Sequence, residues 1–161
     1  MLFFNKDFIM RAAVIISALI SPFIYISIVG ELPSISAYWE TSMQPLFIII
    51  NASTSYFLFS VKKWRISAML LLFLTAFSVE SFLTLHNIFA ISFFLFNIYP
   101  MFLNKKIKWA IFPYLLSLIF LIHSILYAEI FAISTLCLAH LYLLVRYIIV
   151  ENKRKSKSYT A

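Results

Sequence analysis

The chain has 161 residues, 63% of them hydrophobic and only 12% charged, with a formal net charge of +7 and a mean hydropathy of +0.97. So few charged side chains cannot cover a soluble domain of this length, so the composition excludes that class and indicates an integral membrane protein. The basic excess falls in short clusters beside apolar runs, where it sets topology and meets anionic lipid headgroups; no nucleic-acid partner is expected.

In chain order, the first apolar run covers residues 8–29, after Lys6 and Arg11. It is long for a signal peptide, and Ile28 and Gly30 make a poor cleavage site before Glu31, so it reads as a retained span. Ser34 to Thr41 then read Ser-Ile-Ser-Ala-Tyr-Trp-Glu-Thr, the longest stretch in which serines, aromatics and an acid outnumber plain aliphatics. Tyr38 and Trp39 suit the aromatic belt at the headgroups. Thr41 with Gln44 forms a capping-box pattern for a second span at 43–61, with Pro45 still in the first turn.

Two runs follow, 66–103 and 109–150, each about twice the ~20 residues of one crossing. Backbone groups in lipid must be paired internally, so each run is expected to fold back as a helical hairpin. The polar points Glu80 to Asn87 and His123 to Glu129 are the expected hinges, which divides the runs into spans 66–85, 88–103, 109–127 and 130–150. Asn87 and Glu129 each precede the pentapeptide IFAIS, at 88–92 and 130–134, where they suit helix N-termini. The repeat suggests two similar hairpins in succession. Residues 151–161, with their KRKSKS core, read as a disordered basic cytoplasmic tail.

The expected fold is therefore all-α: a polytopic domain over residues 1–150 with six transmembrane helices in three hairpins. Charge placement supports the count. The thirteen Lys and Arg residues lie before the first span (Lys6), early within it (Arg11), after the second (Lys62, Lys63, Arg65), after the fourth (Lys105, Lys106, Lys108) and toward the C-terminus (Arg146, Lys153, Arg154, Lys155, Lys157). Six spans put all of these on one side, the cytoplasmic side by the positive-inside rule, with both termini inside. Glu31, Glu40, Glu80 and Glu129 then face outward. The expected location is a bacterial cytoplasmic membrane. Gly30 is the single glycine and Cys137 the single cysteine, which leaves no glycine-rich packing motif and no disulfide framework.

Polar residues at bilayer depth are expensive and are functional candidates in their own right. Asn51, Asn97 and His140 are the deepest. His86 and Asn97 share one face of the fourth span, and Glu129 and His140 one face of the sixth, because eleven steps of ~100° nearly close three turns. Ser34, Ser36, Tyr38, Glu40, His86 and Glu129 are the candidate binding residues, at the outer face. His86 and His123 with Glu80 and Glu129 contain the ligand types of a zinc centre, which makes a metal-dependent hydrolase an alternative. No HExxH motif and no nucleophile elbow accompanies them, so no catalytic residue and no cofactor is assigned. A small transporter is a second alternative, although broken-helix signals are sparse.

The octet Ser34-Ile-Ser-Ala-Tyr-Trp-Glu-Thr41, with Met43 and Phe57-Leu-Phe-Ser60 after it, resembles an uncharacterised bacterial family of six-span proteins. That family typically carries a Ser-Ile-Ser-Ala-Tyr-Tyr-x-Thr stretch. The likeness continues in Leu85-His86, Ala90, Phe93-Phe94-Leu95 and Glu129-Ile-Phe-Ala-Ile133. More distantly, the order of elements is similar to the DRAM/Frag group, with a Ser-containing first outer loop and a His at the start of the fourth span. The resemblance implies a six-span fold and singles out Ser34, Ser36, Tyr38, Thr41, His86 and Glu129, but it implies no reaction. Where that family tends to have an Arg-Asp pair, this chain has Gln44-Pro45. The reading that results is a non-enzymatic membrane protein that binds a lipid, a small molecule or a partner helix through its outer polar face. Membrane lipids are its expected surroundings, and a homo-oligomer or a partner membrane protein is an expected association.

Overall fold

In the computed structural model of the chain, residues 6–158 are described, with side chains as far as residue 154. Six α-helices occur among them: α1 (Lys6–Val29), α2 (Gln44–Phe59), α3 (Arg65–Ala76), α4 (Val79–Leu103), α5 (Ile111–Phe120) and α6 (Ile125–Ser158). The octet forms a separate 3-10 helix, Ile35–Glu40, and shorter 3-10 turns at Lys62–Trp64 and Lys108–Ala110 lead into α3 and α5. No strand is present among the described residues. Three helices are long and apolar enough to cross a membrane: α1, α4 and α6 as far as Arg154.

Both long apolar runs fold back as expected, and each hinge overlaps the expected one only at its N-terminal side: α4 is kinked at Phe82 (φ −139°, ψ 43°), within the expected 80–87, and the second hinge contains His123. The first lies at Phe77 and Ser78, ahead of Glu80. Ser78 has an extended backbone (φ −68°, ψ 151°) and its hydroxyl accepts from Ser81 N–H, so Ser78, rather than Asn87, starts α4. Asn87 is an exposed residue within that helix. The second hinge occupies Leu121 to Ser124, so Glu129 lies inside α6 instead of at its first turn. A serine hydroxyl placed ahead of an apolar run is a stronger start signal than a polar residue farther on, because the orphan amides of the first turn need an acceptor there. The outcome is uneven hairpins: α3 has 12 residues and α4 has 25, α5 has 10 and α6 has 34.

Two smaller expectations also change. α6 runs on through Ser158, so the helix continues into the basic tail, while residues 159–161 lie outside the described part. Extending a formed helix avoids the cost of nucleation, and Lys and Arg are good helix formers. At the start of α2, Pro45 is in the first turn as expected, but Met43 is the N-cap. The Thr41 hydroxyl accepts from Met43 N–H at 3.1 Å and donates to the Tyr38 carbonyl at 2.8 Å, so it joins the 3-10 helix to α2 instead of capping α2 itself.

α1 packs against both α2 and α6, α2 against α3, α3 against α4, and α5 against α6. The largest buried cluster gathers Leu58, Trp64, Met101, Ile107, Ala110 and Tyr114 with Ala132, Leu136 and Ala139, at the end of the bundle that carries the basic loops. A second cluster, Tyr25, Ile35, Tyr38, Phe47 and Leu126, fills the opposite end around the 3-10 helix. Much of the remaining apolar surface faces outward, for example Ile49, Phe112 and Ile122, as a lipid-facing bundle requires.

Candidate functional site

The octet turns inward and sits across the helix ends opposite the basic loops, in contact with α2, α4 and α6. Helix ends leave unpaired N–H and C=O groups, which are costly wherever water is scarce. The polar residues of this region meet those groups one by one.

α1 ends at Gly30, whose φ of +93° is the left-handed conformation of a helix stop and suits glycine alone. The Gly30 carbonyl accepts from the Tyr38 hydroxyl at 2.6 Å. Tyr38 is fully buried, with its ring 5.2 Å from that of Tyr25. It is therefore not a headgroup-belt residue: a phenol can be buried when its hydroxyl has a fixed acceptor. Burial raises the pKa of that phenol, which is protonated at neutral pH in any case.

At the end of α3, the carbonyl of Thr75 accepts from the Trp39 indole N–H at 2.9 Å. The next free carbonyl, that of Phe77, lies 2.7 Å from His86 Nδ1. A carbonyl can only accept, so Nδ1 carries the proton and the neutral ring is the Nδ1–H tautomer. His86 is buried, and its Nε2 has no hydrogen-bond partner. The start of α4 is covered from the octet as well: Glu40 Oε1 accepts from Glu80 N–H at 3.2 Å, beside the Ser78 cap. A carboxylate at that position also complements the positive end of the helix dipole.

The 3-10 helix is in turn capped from outside. Ser34 Oγ accepts from Ala37 N–H at 3.3 Å and lies 3.0 Å from Ser36 Oγ. From α6, Glu129 Oε2 accepts from Ile35 N–H at 2.6 Å across 94 residues of sequence. Nearby, Tyr127 donates to Glu31 Oε1 at 2.8 Å and ties α6 to the loop after α1.

All six candidate binding residues thus come to the end of the bundle opposite the basic loops; Tyr38, Glu40, His86 and Glu129 join one element to another, while Ser34 and Ser36 bond within the 3-10 segment. Neither serine is paired with a histidine, so they form no nucleophile and base pair. His123 is exposed on the hinge before α6 and Glu80 is exposed on α4. Among the described residues no three His, Cys, Asp or Glu side chains come together as a metal site, so His86, His123, Glu80 and Glu129 are not assembled as one.

Sequence reasoning missed Ser78 and the carbonyl partners of Trp39 and His86. The Ser78-x-x-Ser81 pattern ahead of an apolar run could have identified the first; the carbonyls carry no sequence signal. The deep polar residues form no shared site. Asn97 is fully buried against Tyr114 with neither amide atom hydrogen-bonded, while the Tyr114 hydroxyl donates to the Phe94 carbonyl at 3.0 Å. His140 lies between the rings of Phe57 and Trp64, at 5.5 and 4.5 Å, and its Nε2 is also unpartnered.

Residues of α1, α5 and α6 line a groove of about 550 Å³. Phe23, Phe120, Ile130 and Phe131 form its apolar wall, with His123 and Tyr127 at the outer end and Ser134 deeper. Phe120 and Phe131 meet at 5.1 Å between ring centroids on the α5 side. No family model, no curated protein and no solved structure matches the chain.

Proposed function

We propose that the chain is a six-span protein of a bacterial cytoplasmic membrane, with both termini inside, and that it binds a lipid non-enzymatically in the outer groove between α1, α5 and α6. The observation that carries the reading is the groove itself: an apolar wall that ends in His123, Tyr127 and the Glu31 carboxylate joined to Tyr127. That order of surfaces suits an acyl chain below and a polar headgroup above. In this reading Ser34, Ser36, Tyr38, Glu40, His86 and Glu129 hold the 3-10 segment and the helix ends in place, and the groove residues make the contacts with lipid.

α2, α3 and α5 alone rise about 24, 18 and 15 Å, less than a ~30 Å hydrocarbon core. The 3-10 turns at Lys62–Trp64 and Lys108–Ala110 add about 6 Å each to α3 and α5 at the basic end, so six crossings require the bilayer to thin around these three helices. The likeness to the bacterial six-span family belongs to the same proposal.

Two measurements test it. With Cys137→Ala as background, Ser42→Cys is expected to react with a membrane-impermeant maleimide from outside, and Lys106→Cys only after the membrane is opened; labelling of both from one side removes the six-span reading. Photoactivatable phospholipid is expected to label the protein, and Phe131→Trp, which fills the groove, to reduce labelling several-fold. Unchanged labelling of that variant removes the groove as the binding site.

A further inference from the structure

At the opposite end of the bundle, where the basic residues gather, α1 and α2 leave a second groove of about 560 Å³. α1 contributes Asp7, Arg11 and Val14, which fall on one helical face at intervals of four and three. α2 runs the other way and contributes Ala52, Tyr56 and Phe57. The lining therefore has a direction. Asp7 and Tyr56 lie toward the basic end and Val14 and Ala52 toward the interior, with about 10 Å of helix rise between Asp7 and Val14.

The two charges in this groove have no ion-pair partner among the described residues, although they stand one turn apart on the same helix. The Arg11 guanidinium instead lies over the Phe57 ring, 5.6 Å from its centroid. A carboxylate and a guanidinium one helical turn apart, neither in an ion pair with a described residue, above an apolar floor complement a headgroup that carries both a phosphate and an ammonium. We propose that this groove is a binding site for a phospholipid with a primary-amine headgroup. Arg11 holds the phosphodiester, Asp7 accepts from the ammonium, and the acyl chain lies along Val14 and Ala52. The site is separate from the outer groove and rests only on α1 and α2 crossing the membrane.

The test is native mass spectrometry of the full chain in detergent, titrated with phosphatidylethanolamine and with phosphatidylcholine of the same acyl chains. The phosphate and net charge are common to both; only the N–H donors differ. The unaltered protein is expected to prefer phosphatidylethanolamine about tenfold, the scale of one charge-assisted hydrogen bond. Asp7→Asn is expected to remove the preference while both lipids still bind, and Arg11→Gln to weaken both about tenfold. Phe131→Trp, at the other end, is expected to change neither value, which separates failure here from failure of the outer groove. Equal binding of the two lipids by the unaltered protein, or an unchanged profile for Asp7→Asn, overturns the proposal. Displacement of bound lipid by free phosphoethanolamine overturns it too, because the site would then take a soluble ligand.

Discussion

If the octet holds the bundle together through the ends of its helices, removing one oxygen atom from it should have a measurable cost. Tyr38→Phe does this with little other change. The ring is fully buried and packs 5.2 Å from Tyr25, contacts that phenylalanine retains. What is lost is the 2.6 Å hydrogen bond to the Gly30 carbonyl at the end of α1. A net hydrogen bond contributes about 1 kcal/mol, and a buried carbonyl left without its partner adds to the loss, so about 1–2 kcal/mol of destabilisation is expected. The control is Tyr56→Phe: Tyr56 is 73% exposed, and its change should stay within about 0.5 kcal/mol. Equilibrium unfolding in mixed micelles, followed by tryptophan fluorescence, measures both. A Tyr38→Phe variant as stable as Tyr56→Phe would refute the reasoning, because the hydroxyl would then serve no helix end.

The other capping contacts lead to parallel expectations. Glu129→Ala leaves Ile35 N–H without the acceptor now at 2.6 Å and should cost about 2 kcal/mol in the same unfolding assay, with Glu129→Gln costing less because an amide oxygen still accepts. Trp39→Phe removes the indole donor to Thr75 O and should cost about 1 kcal/mol; its readout is hydrogen exchange at the α3 to α4 hinge, which should quicken there before it does elsewhere. Ser78→Ala removes the cap of α4 and should cost about 1 kcal/mol, largely recovered in Ser78→Asp. Equal stability of Ser78→Ala and the unaltered protein would place the start of α4 elsewhere.

Part of this was legible from residue order. Composition and the apolar runs determine an all-helical fold with helices long and apolar enough to cross a membrane, because hydrophobic length acts locally along the chain. The octet also stood out, as did His86 and Glu129. Their roles did not. Glu129 meets Ile35 across 94 residues, and Trp39, Glu40 and His86 all serve the hinge around Ser78. Those partners are backbone atoms, which every residue carries alike, so no pattern of side chains reveals them.

The hinges moved for a related reason. A polar residue within an apolar run marks either a break or a buried contact, and the sequence does not separate the two. Glu129 and His86 proved to be contacts made from inside helices, while the break fell to Ser78, whose hydroxyl could cap a new first turn. The residue order alone determined a bundle of helices, three of them long and apolar enough to cross a membrane. Only the tertiary structure decided that the octet folds inward, because the helix ends it covers exist only once the helices have packed.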